Sequence, residues 1–245
     1  MSLKFQPVDP SDEVPQENDD STVSAAYPWF SIGLIVCYAA VFAAQAAVGF
    51  DRSILLAGDD KQAVLRGHEF WRLLTGAALH GGLLHFAMNS YAFYSFGSTF
   101  EMLTSRWHVP IVFVIGAAAG SLLSLLVNPQ GVSVGASGGI IGLVGYLLVY
   151  SFKRRQFIAP EFRRSLIINI GIILLYGFLL AGNIDNAAHL GGMVSGAAYA
   201  LVQVPSDPTI DPRTASKATE GMGVVSGAIY IVTCIFAVLV IVGVI

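Results

Sequence analysis

Three stretches of this chain, Trp107 to Phe152, Ser165 to Ile184 and Met222 to Ile245, contain no Asp, Glu, Lys or Arg. A hydrocarbon core about 30 Å thick asks for about 20 mostly apolar residues per helix, so charge-free runs of this length are suited to crossing lipid. Only 12% of the chain is charged and 55% is apolar, whereas an ordinary soluble domain carries about 25% charge. Backbone polar groups in lipid must be paired within the spanning segment, which leaves helices as the natural element here. The pattern therefore predicts an all-α, polytopic transmembrane helix bundle. Its seven spans are Phe30–Phe50, Gly81–Phe100, Val109–Val127, Ser137–Phe152, Leu166–Ala181, Ala187–Val204 and Val224–Ile245.

Outside the spans the chain is economical. Residues 1–28 hold four prolines, six acidic residues and Lys4 as their one base, a composition that predicts a disordered, acidic, cytosolic tail. No apolar run follows Lys4, so no cleavable signal peptide is expected. Residues 29–204 then form a six-helix unit, residues 205–223, rich in Pro, Ser, Thr and Asp, form a cytosolic linker, and residues 224–245 form the seventh helix. Cys37 and Cys234 each lie among apolar residues and read as small core filler rather than as a disulfide or metal pair.

Basic residues set the expected orientation. With the N-terminus inside, nine of them (Lys4, Arg106, Lys153, Arg154, Arg155, Arg163, Arg164, Arg213, Lys217) fall on the inner side, against four (Arg52, Lys61, Arg66, Arg72) outside. The positive-inside bias then predicts a cytosolic N-terminus and an external C-terminus in a multi-pass membrane protein, in the cell membrane if the source is prokaryotic. The connection Asp51–Leu79 mixes charges with Ile54, Leu55, Leu56, Phe70 and Trp71. A structureless loop of that length is unusual, and its amphipathic mixture predicts short helices lying in the outer interface.

Polar side chains that persist inside apolar spans are candidates for function. Span two carries His80, His85 and Asn89, span four opens with Gly135-Ala136-Ser137-Gly138-Gly139, and span six contains His189 followed by Gly192 and Gly196. Singly, each has an ordinary reading: a membrane-helix serine bonds its own backbone, and a lone histidine is packed and satisfied. Together they are more constrained. Ser137 stands sixteen residues before Lys153, and His189 sixteen before Pro205. At 1.5 Å per residue both side chains lie about 24 Å above the inner boundary, on spans running in the same direction. Gly138 and Gly142 on one span, with Ala188, Gly192 and Gly196 on the other, supply the small faces that let membrane helices meet backbone to backbone. A serine needs a base in hydrogen-bond reach to become a nucleophile. His85 and Asn89, four apart on one helix face, are placed to donate to an oxyanion beside the Ser137 N–H. Asp185 sits at the outer end of span six, too far out to orient His189, so the expectation is a Ser–His dyad.

In this order and topology, Trp71-Arg72, His80-x4-His85-x3-Asn89, Glu101, Gly135-Ala136-Ser137-Gly138 and Ala188-His189-x2-Gly192-x3-Gly196 resemble the rhomboid family of intramembrane serine proteases over residues 71 to 196. The resemblance implies a six-helix rhomboid-like core with one added C-terminal helix, a catalytic dyad of Ser137 and His189, and oxyanion stabilisation by His85 and Asn89. It also implies a substrate that is another protein's transmembrane segment, cut near its outer end, with span five or the first loop yielding for entry. Trp71 and Arg72 are expected to anchor the first loop. His80 and Glu101 are expected to make hydrogen bonds that pin that loop and the inner end of span two. Many members carry an aromatic residue four after the serine, packed on the catalytic imidazole; here the position is Ile141, which leaves the orienting of His189 to another apolar contact.

Three rival readings fit the sequence less well. An inactive rhomboid-like protein that binds transmembrane clients would usually lack the serine or the histidine. A secondary transporter would show inverted repeats and midplane charges. A metalloprotease would carry His-Glu-x-x-His. The sequence calls for no cofactor and no metal, and the expected partners are transmembrane protein substrates and the lipid bilayer, not nucleic acid.

Overall fold

The computed structural model describes residues 27–179 and 184–245. The acidic tail read at residues 1–28 lies outside them apart from its last two residues, as does the end of the fifth span at Ala181. Helix α1 (Trp29–Val48) is followed by a first loop built of α2 (Phe50–Ala57), β1 (Asp59–Asp60), α3 (Lys61–Gly67) and α4 (Arg72–Thr75). Then come α5 (Leu83–Leu103), α6 (His108–Val127), β2 (Val132–Ser133), α7 (Ser137–Lys153), α8 (Pro160–Leu179), α9 (Asn186–Gln203) and α10 (Lys217–Val242). The helical bundle expected from the sequence is present. Its only strands among the described residues are β1 and β2, a two-residue antiparallel bridge pairing Asp59 with Ser133 and Asp60 with Val132.

Helices α1, α6, α8 and α10 are long and apolar enough to cross a membrane. The apolar α7 has only 17 residues and is buried almost all round, as a helix that is hydrophobic on every side should be. The first loop folds as three short helices, in line with its amphipathic pattern. Two spans begin earlier than hydropathy alone suggested. Helix α8 takes in Glu161, Arg163 and Arg164, and α10 starts at Lys217, inside the stretch read as linker. At α10 the cause is local: the Ser216 hydroxyl accepts from Thr219 N–H, and Lys217 pairs with Glu220 one turn on. The rest of the linker is fastened to the end of α7, where the buried Arg154 donates to the carbonyls of Pro205, Asp207 and Pro208.

Packing at the centre is set by glycine. A Cβ at Gly192 would strike the carbonyl oxygen of Gly138, and one at Gly196 that of Gly142. As the contact on α7 moves from 138 to 142, its partner on α9 moves from 192 to 196, so the two helices run in the same direction. Helix α6 closes the third side in the opposite direction, with Gly116 against Gly138 and Val112 against Gly142. A Cβ at Gly120 would lie 2.6 Å from the Ala188 carbonyl oxygen. In lipid there is little hydrophobic force between helices, and backbone approach of this kind replaces it.

The seam makes a direct prediction for thermal unfolding in detergent. Gly196→Ala should destabilise the fold by about 1–3 kcal/mol, the usual cost of overpacking. Gly33→Ala on α1, where a Cβ meets nothing within 4 Å, should be neutral or gain up to about 1 kcal/mol from helix propensity. Equal effects of the two substitutions would contradict the seam.

Candidate active site

Ser137 is the first residue of α7, and His189 lies in the first turn of α9. The glycine seam just below them brings these two helix ends together, and His189 Nε2 lies 2.9 Å from Ser137 Oγ. His189 is 8% exposed, and its Nδ1 has no partner among the described residues. For Nε2 to accept from the serine hydroxyl, the neutral ring must carry its proton on Nδ1. As the first helical residue, Ser137 also presents an N–H with no acceptor inside its own helix, at the positive end of the α7 dipole.

The approach to Ser137 is built by residue 135. Gly135 has φ +128, a conformation that side-chain-bearing residues rarely adopt. Its N–H donates to the carbonyl of Gly76 at 2.9 Å, which ties this segment to the first loop. A Cβ there would lie 2.8 Å from His85 Cε1 and Nε2, and 3.6 Å from Asn89 Nδ2. The structure therefore gathers His85 and Asn89 on α5 beside the backbone two residues ahead of Ser137. Gly81 N–H donates to His85 Nδ1 at 3.3 Å, so the neutral His85 ring holds its proton on Nε2, the atom facing Gly135. One Asn89 amide hydrogen is spent on the His85 carbonyl at 3.1 Å and the other is left for a second acceptor. Two side-chain donors, His85 Nε2–H and Asn89 Nδ2–H, thus lie beside Gly135, two residues before Ser137 and its own N–H.

The remaining motif residues sit around this centre. Arg72 donates to Glu69 at 2.6 Å and to the carbonyls of Leu55 and Gly58, and its guanidinium lies over the Trp71 ring. Trp71 packs edge-on against Phe236 of α10. Glu101 accepts from the N–H and hydroxyl of Ser31, so its carboxylate holds the N-terminus of α1 against the C-terminal end of α5. His80 behaves differently from its expectation. Its ring nitrogens have no partner among the described residues, and the ring packs among Tyr38, Phe42, His85 and Phe86. What holds its segment is Gln45 of α1, which accepts from His80 N–H at 2.9 Å and donates to His80 C=O at 3.1 Å. Ile141 is buried in the central core.

Sequence reasoning passed over one cluster beside the site. Lys61, fully buried, lies 3.3 Å from Asp59 and 3.9 Å from Asp185 and donates to Ser133. Asp185 takes hydrogen bonds from Ser124, Ser133 and Ala188 N–H, the last at 2.9 Å as the cap of α9. Burial alone would raise the Asp185 carboxyl, yet those hydrogen bonds and Lys61 hold it below the usual carboxylate range. Burial pushes the Asp59 carboxyl up despite Lys61.

The family model described as Rhomboid domain matches residues 67–206. Over 146 residues the chain is 34% identical to "Rhomboid protease GluP" of Bacillus subtilis (strain 168), covering 59% of this chain and 28% of that protein. It is 37% identical over 139 residues to "RHOMBOID-like protein 1" of Arabidopsis thaliana, covering 56% of this chain and 35% of the relative. It is 31% identical over 129 residues to "Putative rhomboid protease YdcA" of Bacillus subtilis (strain 168), at 52% and 64% coverage. The chain thus spans less than two thirds of each of these relatives.

The geometry at Gly135 is testable with a fluorophosphonate, which reports serine nucleophilicity without a protein substrate. Gly135→Ala should slow phosphonylation of Ser137 by about tenfold or more, because displacement by even 1 Å near reacting atoms costs rates of that order. Labelling at the wild-type rate would show that the Gly135 conformation is not needed.

Proposed function

The chain belongs to the rhomboid family, and on that premise we propose that it is an intramembrane serine endopeptidase in which Ser137 is the nucleophile and His189 the general base. The observation that carries this reading is the 2.9 Å contact between Ser137 Oγ and His189 Nε2, together with the side-chain donors beside Gly135. His189 Nε2 takes the hydroxyl proton as Oγ attacks the scissile carbonyl carbon. The negative charge that develops on the carbonyl oxygen is met by Ser137 N–H, His85 Nε2–H and Asn89 Nδ2–H, and by the end of the α7 dipole. The imidazolium then hands its proton to the leaving amine as the C–N bond breaks, which leaves an ester on Ser137. Water, activated by the same imidazole, hydrolyses that ester and restores the serine.

The substrate class follows from where the dyad lies. A peptide bond must reach a site flanked by apolar helices, so the substrate is a transmembrane segment of another membrane protein, unwound locally near its outer end. Helix α8 supports the route of entry. It packs on α7 and only lightly on α9, while Ile168, Leu175, Tyr176 and Phe178 are exposed along it. A helix with so little holding it is the element we assign to yield, the first loop being the alternative. The N-terminus is cytosolic and the C-terminus external, which places the dyad toward the outer side.

Two measurements test the assignment. With a single-span substrate in detergent, Ser137→Ala and His189→Ala should each lower turnover by several powers of ten. Cleavage by either variant at the wild-type rate would remove the dyad and leave a client-binding protein. Asn89→Ala should lower turnover by about 10²–10³ while the protein stays folded, the usual loss for one oxyanion donor. Topology is checked on intact cells with Cys37 and Cys234 replaced by alanine. Cysteines at Gln156 and Ser216 should resist an impermeant thiol reagent until the membrane is broken, and one at Gln62 should react at once. Labelling of Gln156→Cys from outside would invert the arrangement.

A further inference from the structure

The two segments that carry Ser137 and His189 are joined a second time, one step away from the dyad. Ser133 precedes Ser137 by four residues, Asp185 precedes His189 by four, and the Ser133 hydroxyl donates to Asp185 Oδ2. Lys61 of the first loop grips both ends of this link, donating to Ser133 and lying 3.9 Å from Asp185. Ser124 of α6 donates to the same carboxylate oxygen, and the β1–β2 bridge holds Ser133 opposite Asp59. We propose that Ser133, Asp185 and Lys61 are positioning residues that form a charged clasp, and that this clasp sets the separation and mutual orientation of Ser137 and His189.

Three physical points carry the inference. The glycine seam fixes the axes of α7 and α9, but the dyad sits at their N-terminal ends, where intrahelical hydrogen bonds run out and ends fray. Something outside the helices must hold those ends, and the clasp is a polar connection that joins both of them. A lysine with no exposed surface is costly unless it is paired and hydrogen-bonded. Lys61 is fully buried between two carboxylates and a hydroxyl. Asp185 also caps α9 through Ala188 N–H, so the atom group that receives the clasp fixes the first turn of the His189 helix. Because Lys61 belongs to the first loop, a displacement of that loop would loosen the nucleophile and the base together.

The inference rests on the protease reading of Ser137 and His189, so its test pairs an activity readout with one that needs no activity. Ser133→Ala cuts the link and leaves the α9 cap intact. Asp185→Asn keeps an oxygen for Ala188 N–H but cannot accept from Ser124 and Ser133 through its amide nitrogen. Each should lower kcat by about ten- to a hundredfold, the cost of a small misplacement, with KM within about twofold of wild type. Ser133→Thr, which restores the hydroxyl, should recover kcat to within about threefold. Hydrogen exchange read by mass spectrometry should quicken in residues 131–137 and 184–190 of the Ala and Asn variants and stay unchanged in α10. Lys61→Met should do the same more strongly, and if it fails to fold, Ser133→Ala carries the test alone. Wild-type kcat with unchanged exchange overturns the clasp. So does a rise in exchange through every helix with no rescue by threonine, since that is a general loss of stability. If the wild-type protein itself cleaves nothing, the protease reading fails, and the exchange measurement still decides whether the clasp holds these two segments.

Discussion

The main-chain contact between α7 and α9 is the constraint from which the rest of the arrangement follows. Two parallel membrane helices do not bring a serine oxygen and an imidazole nitrogen to 2.9 Å unless their axes are closer than ordinary side chains allow. Here no side chain intervenes: Gly192 faces the Gly138 carbonyl and Gly196 faces the Gly142 carbonyl. Helix α6 fits into the same seam through Gly116 and Gly120. The cost is borne in helix propensity, since each glycine weakens its own helix relative to alanine by about 0.5–1 kcal/mol. In hydrocarbon that loss is offset by dense backbone packing, because water offers the peptide groups no competing partners there.

A close seam fixes distance but not direction, and direction comes from the loops. The segment before Ser137 is held to the first loop by Gly135 N–H on Gly76 C=O. The first loop is in turn held by Arg72 on two carbonyls of the α2 end and by Thr75 Oγ1 on Ala57 C=O at 2.7 Å. Gln45 then clamps both polar groups of the His80 backbone. Buried irregular backbone must find partners for its N–H and C=O groups. In this region the partners include the side chains of Arg72, Thr75 and Gln45, which tie the first loop to the end of α2 and the segment after it to α1.

How far the sequence disclosed this depends on the range of each interaction. Spans were legible because hydropathy is a local property, and their bounds were furthest off where charge is accommodated within a helix, as at Glu161 to Arg164 and Lys217 to Glu220. The meeting of Ser137 and His189 was legible because helical rise is constant, so equal distances to the inner boundary translate into equal depth. His85 and Asn89 were legible as one helix face, but their position against Gly135, a positive-φ residue two before Ser137, was not. Lys61 was not legible. In sequence it is one charge among several in an amphipathic loop, and its partners Ser133 and Asp185 lie far along the chain. His80 misled for a related reason: its side chain suggested a polar anchor, while the anchoring is done through its backbone by Gln45.

The seventh helix shows why a division into six helices plus one describes the chain order better than the packing. Tyr230, Cys234, Ala237 and Ile241 of α10 belong to the same buried cluster as Phe113, Leu143 and Ala78. The fully buried Tyr230 ring stands edge-on to Phe113, and its hydroxyl donates to Ala77 C=O at 3.3 Å. Ala77 follows Gly76, whose carbonyl receives Gly135 N–H, so α10 supports the strip of backbone on which the approach to Ser137 rests. Phe236 meets Trp71 on the same helix, and at the far end Gly223 lies against Trp107. A helix that merely anchored the chain would face lipid on most sides and touch its neighbours through interchangeable aliphatic residues. One that buries a tyrosine hydroxyl against a loop carbonyl is tied to a particular register, because an unpaired hydroxyl in that interior would cost about 1–3 kcal/mol. Helix α10 is therefore part of the wall behind the site, and the strip from Ala77 to His80 is held by Tyr230 of α10 at one end and by Gln45 of α1 at the other.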